Sequence, residues 1–141
     1  MNVDINYLAV LLAGLSSMVV GSLWYMPATF GKAWMKYTGV KMDKRPKPQQ
    51  MIWIYGTVLV ASLVTAYILA HVSFLANKFF GNSFLSDSLQ TGFWLWLGFT
   101  AARIYVHDSF EMRRKKLTLL NAAHELVTVL VMALIIGLMK P

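Results

Sequence analysis

Four apolar runs, each about as long as a lipid bilayer is thick, decide what this chain can fold into. They lie at about residues 5–26, 51–76, 89–105 and 117–139, and about 20 mostly apolar residues let a helix cross the hydrocarbon core. The apolar residues fall in long runs instead of along amphipathic stripes, so helices made from them have little surface to offer water. The chain is 57% hydrophobic and only 13% charged, against about 25% charged in soluble domains. The expected fold is all-α: an integral membrane four-helix bundle forming a single transmembrane domain over residues 1–141. Asp4 precedes the first run, with no basic leader and no small-residue cleavage site, so that run is expected to be a retained span and not a signal peptide.

The segments between the runs refine this picture. Pro27 should end the first span, because proline cannot continue the backbone hydrogen-bond ladder. Phe30, Ala33, Trp34 and Tyr37 then fall on one helical face with Lys32 and Lys36 off it and Gly39 as a stop, which predicts a short interfacial helix at about 28–38. Pro46 and Pro48 predict an irregular basic loop over Val40 to Gln50, and Asn77 to Gln90 reads as a polar connector. Within the first span Ala9, Ala13, Ser17 and Gly21 recur every four residues, a small-residue stripe that lets a second helix backbone come close. Such stripes point to helix association and to a homo-oligomer.

Orientation follows from counting Lys and Arg by segment. Lys32, Lys36, Lys41, Lys44, Arg45 and Lys47 fill the first connector and Arg113, Arg114, Lys115 and Lys116 the third, against Lys78 in the second and Lys140 at the tail. By the positive-inside rule the 27–50 and 106–116 loops are cytoplasmic and both termini face outward. Topology thereby accounts for the net charge of +7, and no nucleic-acid partner is expected. The partner expected is the bilayer itself, with anionic lipids drawn to the basic loops at about 1 kcal/mol per residue near the surface.

Chemistry is sparse. Asn121, His124, Glu125 and Thr128 share one face of the fourth run, a polar stripe inside lipid, where a charge costs about 3 kcal/mol and so seeks a partner. In an antiparallel hairpin of the third and fourth runs, residues whose numbers have equal sums lie at equal depth, so Arg103 is expected to meet Glu125 and His107 to meet Asn121. That cluster could pin the hairpin together or pass protons. His71 reads as an interfacial hydrogen-bonder, and the tryptophans as an aromatic belt. His124-Glu125 is followed by Thr128 where a zinc protease motif needs a second histidine, and the chain has no cysteine. With no phosphate loop and no nucleophile elbow either, no metal, cofactor or enzymatic activity is expected.

Three groups of residues carry a resemblance. Gly21-Ser22-Leu23-Trp24-Tyr25-Met26-Pro27 followed by Phe30-Gly31-Lys32-Ala33-Trp34, then Trp96-Leu97-Gly98-Phe99, then Phe110-Glu111-Met112-Arg113 with Asn121-Ala122-Ala123-His124-Glu125-Leu126, resemble the signatures of the family known as domain of unknown function 1761. The resemblance implies a small multi-span membrane protein, mostly bacterial and hence of the cytoplasmic membrane, with no assigned activity. Its pattern does not require an acid at Glu125, which favours Glu111 and Asn121 as family-level candidates and a hairpin clasp made by Phe110, Glu111 and Arg113. The function expected is a homo-oligomeric membrane scaffold or interaction protein. The alternative is a proton- or ion-coupled small transporter or channel built on Arg103, His124 and Glu125.

Overall fold

The computed structural model describes residues 3–40 and 47–141, so Lys41, Lys44 and Arg45 of the basic loop lie outside the described residues. The regular structure among these is helical: α1 (Tyr7–Trp24), α2 (Gly31–Thr38), α3 (Pro48–Phe80), α4 (Phe84–Leu95), a π-helical segment (Trp96–Ala101), α5 (Ala102–Phe110) and α6 (Lys115–Met139). α1, α3 and α6 are each long and apolar enough to cross a membrane. α4, the π segment and α5 follow one another without a break and form a further rod from Phe84 to Phe110, the third of four long rods in chain order.

α1 packs on α3 and α6, and α4 packs on the same two helices. Their shared core is Ala13, Ala66, Leu69, Met132 and Ala133, all at most 2% exposed. Small residues set the spacing, since a Cβ placed on Gly14 would stand 2.6 Å from Leu63 Cδ2 and one on Gly137 would stand 2.8 Å from Leu85 Cα. Small residues at these positions let the helix backbones approach closely and gain packing contact. Ala9, Ala13 and Ser17 are buried in this way and Gly21 half-buried.

Polar clasps close the ends. Where the two termini meet, Asn6 Nδ2 donates to the carbonyls of Met139 at 3.3 Å and Lys140 at 3.1 Å, while Asn6 Oδ1 accepts from Ala9 N as the N-cap of α1. Between α3 and α4, buried Asp87 accepts from Asn77 Nδ2 at 2.8 Å and Asn82 Nδ2 at 2.9 Å. At the opposite end Arg114 donates to the Lys36 carbonyl at 3.1 Å, tying the α5–α6 turn to α2. Lys32, Lys36, Arg113, Arg114, Lys115 and Lys116 therefore gather at one end, which is termed the basic end below.

Several boundaries differ from expectation. α3 starts at Pro48, inside the expected loop, because proline costs nothing at the first helical position, where its missing N–H would be unpaired anyway. Gln50 Oε1 also accepts from Lys47 N at 3.1 Å and secures that helix start. The connector from Asn77 to Gln90 shrinks to Gly81, Asn82 and Ser83, since its polar residues are caps: Ser83 Oγ accepts from Ser86 N, and Gly81 adopts the left-handed conformation that ends α3. The interfacial helix is shorter than expected, beginning at Gly31, with 25–30 forming turns. The third rod is longer than 89–105, reaching from Phe84 to Phe110.

The packing is uneven along the axis. Ile52 to Val58 of α3 are all exposed, so almost two consecutive turns show every face to the surroundings, and the first buried residue of that helix is Ala66. α3 thus leaves the other helices as it approaches the basic end.

Candidate functional site

The polar residues of α6 meet the elbow between α1 and α2. Beyond Trp24 the chain reverses through Tyr25 to Phe30, with Phe30 N donating to Trp24 O and Gly31 N to Met26 O, and the Thr29 hydroxyl turned back onto the last carbonyls of α1. A Cβ on Gly31 would stand 2.3 Å from Tyr25 O, so only glycine fits this turn. The Trp24 and Phe30 rings lie 4.4 Å apart, and Tyr25 meets Trp34 edge-on at 5.7 Å. Trp24, Tyr25, Pro27, Gly31 and Trp34 thereby form one folded unit.

His124 inserts into this unit. Its ring centre lies 5.0 Å from that of Tyr25 and 5.9 Å from that of Trp24. Gly21 makes room, because its missing Cβ would stand 3.6 Å from His124 Nε2. His124 Nδ1 approaches Glu125 Oε1 at 3.3 Å, an imidazole and a carboxylate that can share a proton. Asn121 Oδ1 accepts from the Tyr25 hydroxyl at 3.3 Å, and Thr128 turns its hydroxyl back onto the His124 carbonyl at 2.9 Å. Among the described residues Trp24 Nε1 and His124 Nε2 are buried without a hydrogen-bond partner.

Arg103 and His107 do not join them. Both are exposed, no ion pair forms between Arg103 and Glu125, and Asn121 bonds Tyr25 instead of His107. The cause is the π segment. α4 buries Asp87, Ser88, Thr91 and Gly92, and an unbroken α-helix would carry that face on through Phe99, Arg103 and His107. Here Ala102 N reaches Leu97 O, five residues back, which inserts one extra residue and turns everything after it by about 100°. Thr100 and Ile104 become half-buried and Asp108 buried, while Phe99, Arg103 and His107 turn outward. The family-type residues Trp96, Gly98 and Phe99 are this π segment, and Trp96 Nε1 donates to the Ala122 carbonyl at 2.9 Å.

Asp108, which no sequence motif singles out, holds the α5–α6 hairpin. Its Oδ2 accepts from Thr118 Oγ1 at 2.7 Å, its carbonyl accepts from Arg113 N at 2.9 Å, and Arg113 Nε lies 3.7 Å from its Oδ1. Arg113 also donates to the Glu111 carboxylate. Phe110 and Met112 project at the turn, 87% and 92% exposed. His71 lies away from all of this, its Nδ1 at 3.2 Å from the Tyr67 carbonyl.

Among the described residues no group of three or more His, Asp or Glu side chains could hold a metal. The class defined by these features is an all-helical protein with helices of bilayer-crossing length and a polar patch packed against an aromatic elbow. Residues 8–137 match the family described as "Protein of unknown function (DUF1761)", and the chain belongs to that family. No curated protein and no solved structure matches it.

Proposed function

We propose that the chain is an integral membrane protein that crosses the bilayer four times, with the Phe84–Phe110 rod as the third span, and that it acts as a non-catalytic, homo-oligomeric scaffold. The carrying observation is α3 near the basic end. Ile52, Trp53 and Val60 are 73%, 71% and 61% exposed, and Gly56 has open space where a Cβ would stand. An apolar helix that is paired along its second half and bare along its first is suited to meet the same helix of a second copy, with Gly56 allowing close approach. The gathering of basic residues at one end supports a cytoplasmic basic end and outward termini.

The transporter reading is less well supported, since Arg103 faces away from Glu125 and the tightly packed Ala13, Ala66, Leu69, Met132 and Ala133 lie between Glu125 and the end where the termini meet. The chain has no cysteine, so single-cysteine variants report one position each. Oxidation of Gly56→Cys in native membranes is expected to give a covalent dimer, whereas Thr100→Cys on the half-buried face of the third rod stays monomeric. A monomer from both variants at native expression would sink the oligomer reading.

A further inference from the structure

A groove of about 470 Å³ runs along the outside of the α5–α6 hairpin, and its walls include Trp96, Tyr105, Lys115, Ala122, Ala123 and Leu126. Ala122 and Ala123 in its wall place only methyl groups where larger side chains would fill the space. Trp96 forms one wall and is fixed there by its bond to the Ala122 carbonyl. Two other apolar grooves of comparable size, of about 420 Å³ beside α3 and the π segment and about 580 Å³ along the bare part of α3, have no charged residue in their walls. The hairpin groove has Lys115.

Lys115 is the first residue of α6 and Lys116 follows it, with no acidic residue in that first turn, and the Asp108 carboxylate that reaches the start of the helix is taken up by Thr118 and Arg113. Two cations therefore stand at the positive end of a helix dipole, an arrangement that favours an anion beside them. Arg113 is engaged by Glu111 and Asp108 and Arg114 by the Lys36 carbonyl, whereas Lys115 forms no ion pair among the described residues. A lysine at this depth extends its ammonium to the headgroup layer while its stem follows the apolar wall.

We propose that this groove is a binding site for one anionic phospholipid, an acyl chain lying against Trp96, Ala122, Ala123 and Leu126 and the phosphate meeting Lys115. The match is one of charge and shape together: an apolar trough open to the lipid side that ends at an unpaired cation. The site rests on the membrane-spanning reading above, although not on the oligomer.

The test is fluorescence quenching of the full chain reconstituted in phosphatidylcholine bilayers that contain either phosphatidylglycerol or phosphatidylcholine with brominated acyl chains at equal mole fraction. Bromine quenches tryptophan at contact, and the exposed Trp53 and Trp94 are replaced by Phe throughout so that Trp96, which lines the groove, reports on it. Brominated phosphatidylglycerol is expected to quench more than brominated phosphatidylcholine. Lys115→Gln, at an exposed position that does not disturb folding, is expected to reduce that preference about fivefold, the worth of one lysine near an anionic lipid. Ala123→Leu fills the trough and is expected to abolish the extra quenching. Equal quenching by the two lipids, or a preference that survives both substitutions, would overturn the site while leaving membrane insertion intact. No quenching by either lipid would overturn the membrane-spanning reading itself.

Discussion

The indole N–H of Trp96 and the carbonyl of Ala122 join the π segment to α6 across 2.9 Å, at the level where the third rod changes its rotational phase. A π turn widens the helix and weakens its own ladder, so it persists where side chains elsewhere hold it. Trp96 supplies such a hold and lines both grooves beside it.

Trp96→Phe keeps most of the ring and removes the donor. It is expected to destabilise the protein by about 1 kcal/mol, the net worth of one hydrogen bond, as measured by circular dichroism during titration with a denaturing detergent. Trp94→Phe, at a 64% exposed position on the same rod, is expected to be neutral. Equal effects from the two would show that the indole bond contributes nothing.

Gly31 tests the elbow. An added methyl would meet the Tyr25 carbonyl at 2.3 Å, and backbone cannot yield as a flexible side chain does. Gly31→Ala is expected to cost about 1–3 kcal/mol, the usual penalty of overpacking. It should also expose the elbow to limited proteolysis near Pro27. Gly98→Ala has open space around the new methyl and serves as the control.

The Asp108–Thr118 bond is open to a double-mutant cycle. Asp108→Asn and Thr118→Val are expected to be coupled by about 1–3 kcal/mol, because the accepting carboxyl group is buried and loses its donor when Thr118 is replaced. Additive losses would mean that the hairpin is held by Arg113 and the turn alone.

The helices themselves were legible because their signal is redundant: α6 could lose several residues from its apolar run and still read as a helix of bilayer length. The burial of Ala9, Ala13 and Ser17 was legible for a related reason, since small residues repeated every four positions on one helix face suit contact with a second helix. Ends were harder. Pro48 reads as a loop residue by composition and as a helix start by position, and only the position matters once the chain is folded. The polar site was missed where phase was assumed. A single inserted residue at Trp96–Ala101 moves Arg103 and His107 off the core face and brings Asp108 onto it. A signal for it existed: continuing the α4 face at helical spacing would have buried two ionisable side chains and left Ile104 outside, a pattern that argues for a phase slip.

That slip decides what Glu125 does. With Arg103 turned outward, Arg103→Ala and Glu125→Gln are expected to be independent within about 0.5 kcal/mol, whereas His124→Asn and Glu125→Gln should be coupled through the contact of Nδ1 with Oε1. The layer of Ala13, Ala66, Leu69, Met132 and Ala133 between this pair and the end where the termini meet carries no side chain that exchanges a proton, and the buried hydroxyls of Ser73 and Ser88 have no hydrogen-bond partner among the described residues to continue a path. Native protein in liposomes with an imposed proton gradient is therefore expected to show no more flux than empty liposomes. Flux that depends on Glu125 would reverse the argument: the packed half of the bundle would have to open, and the His124–Glu125 pair, now a structural tie to the aromatic elbow, would become the step at which protons enter.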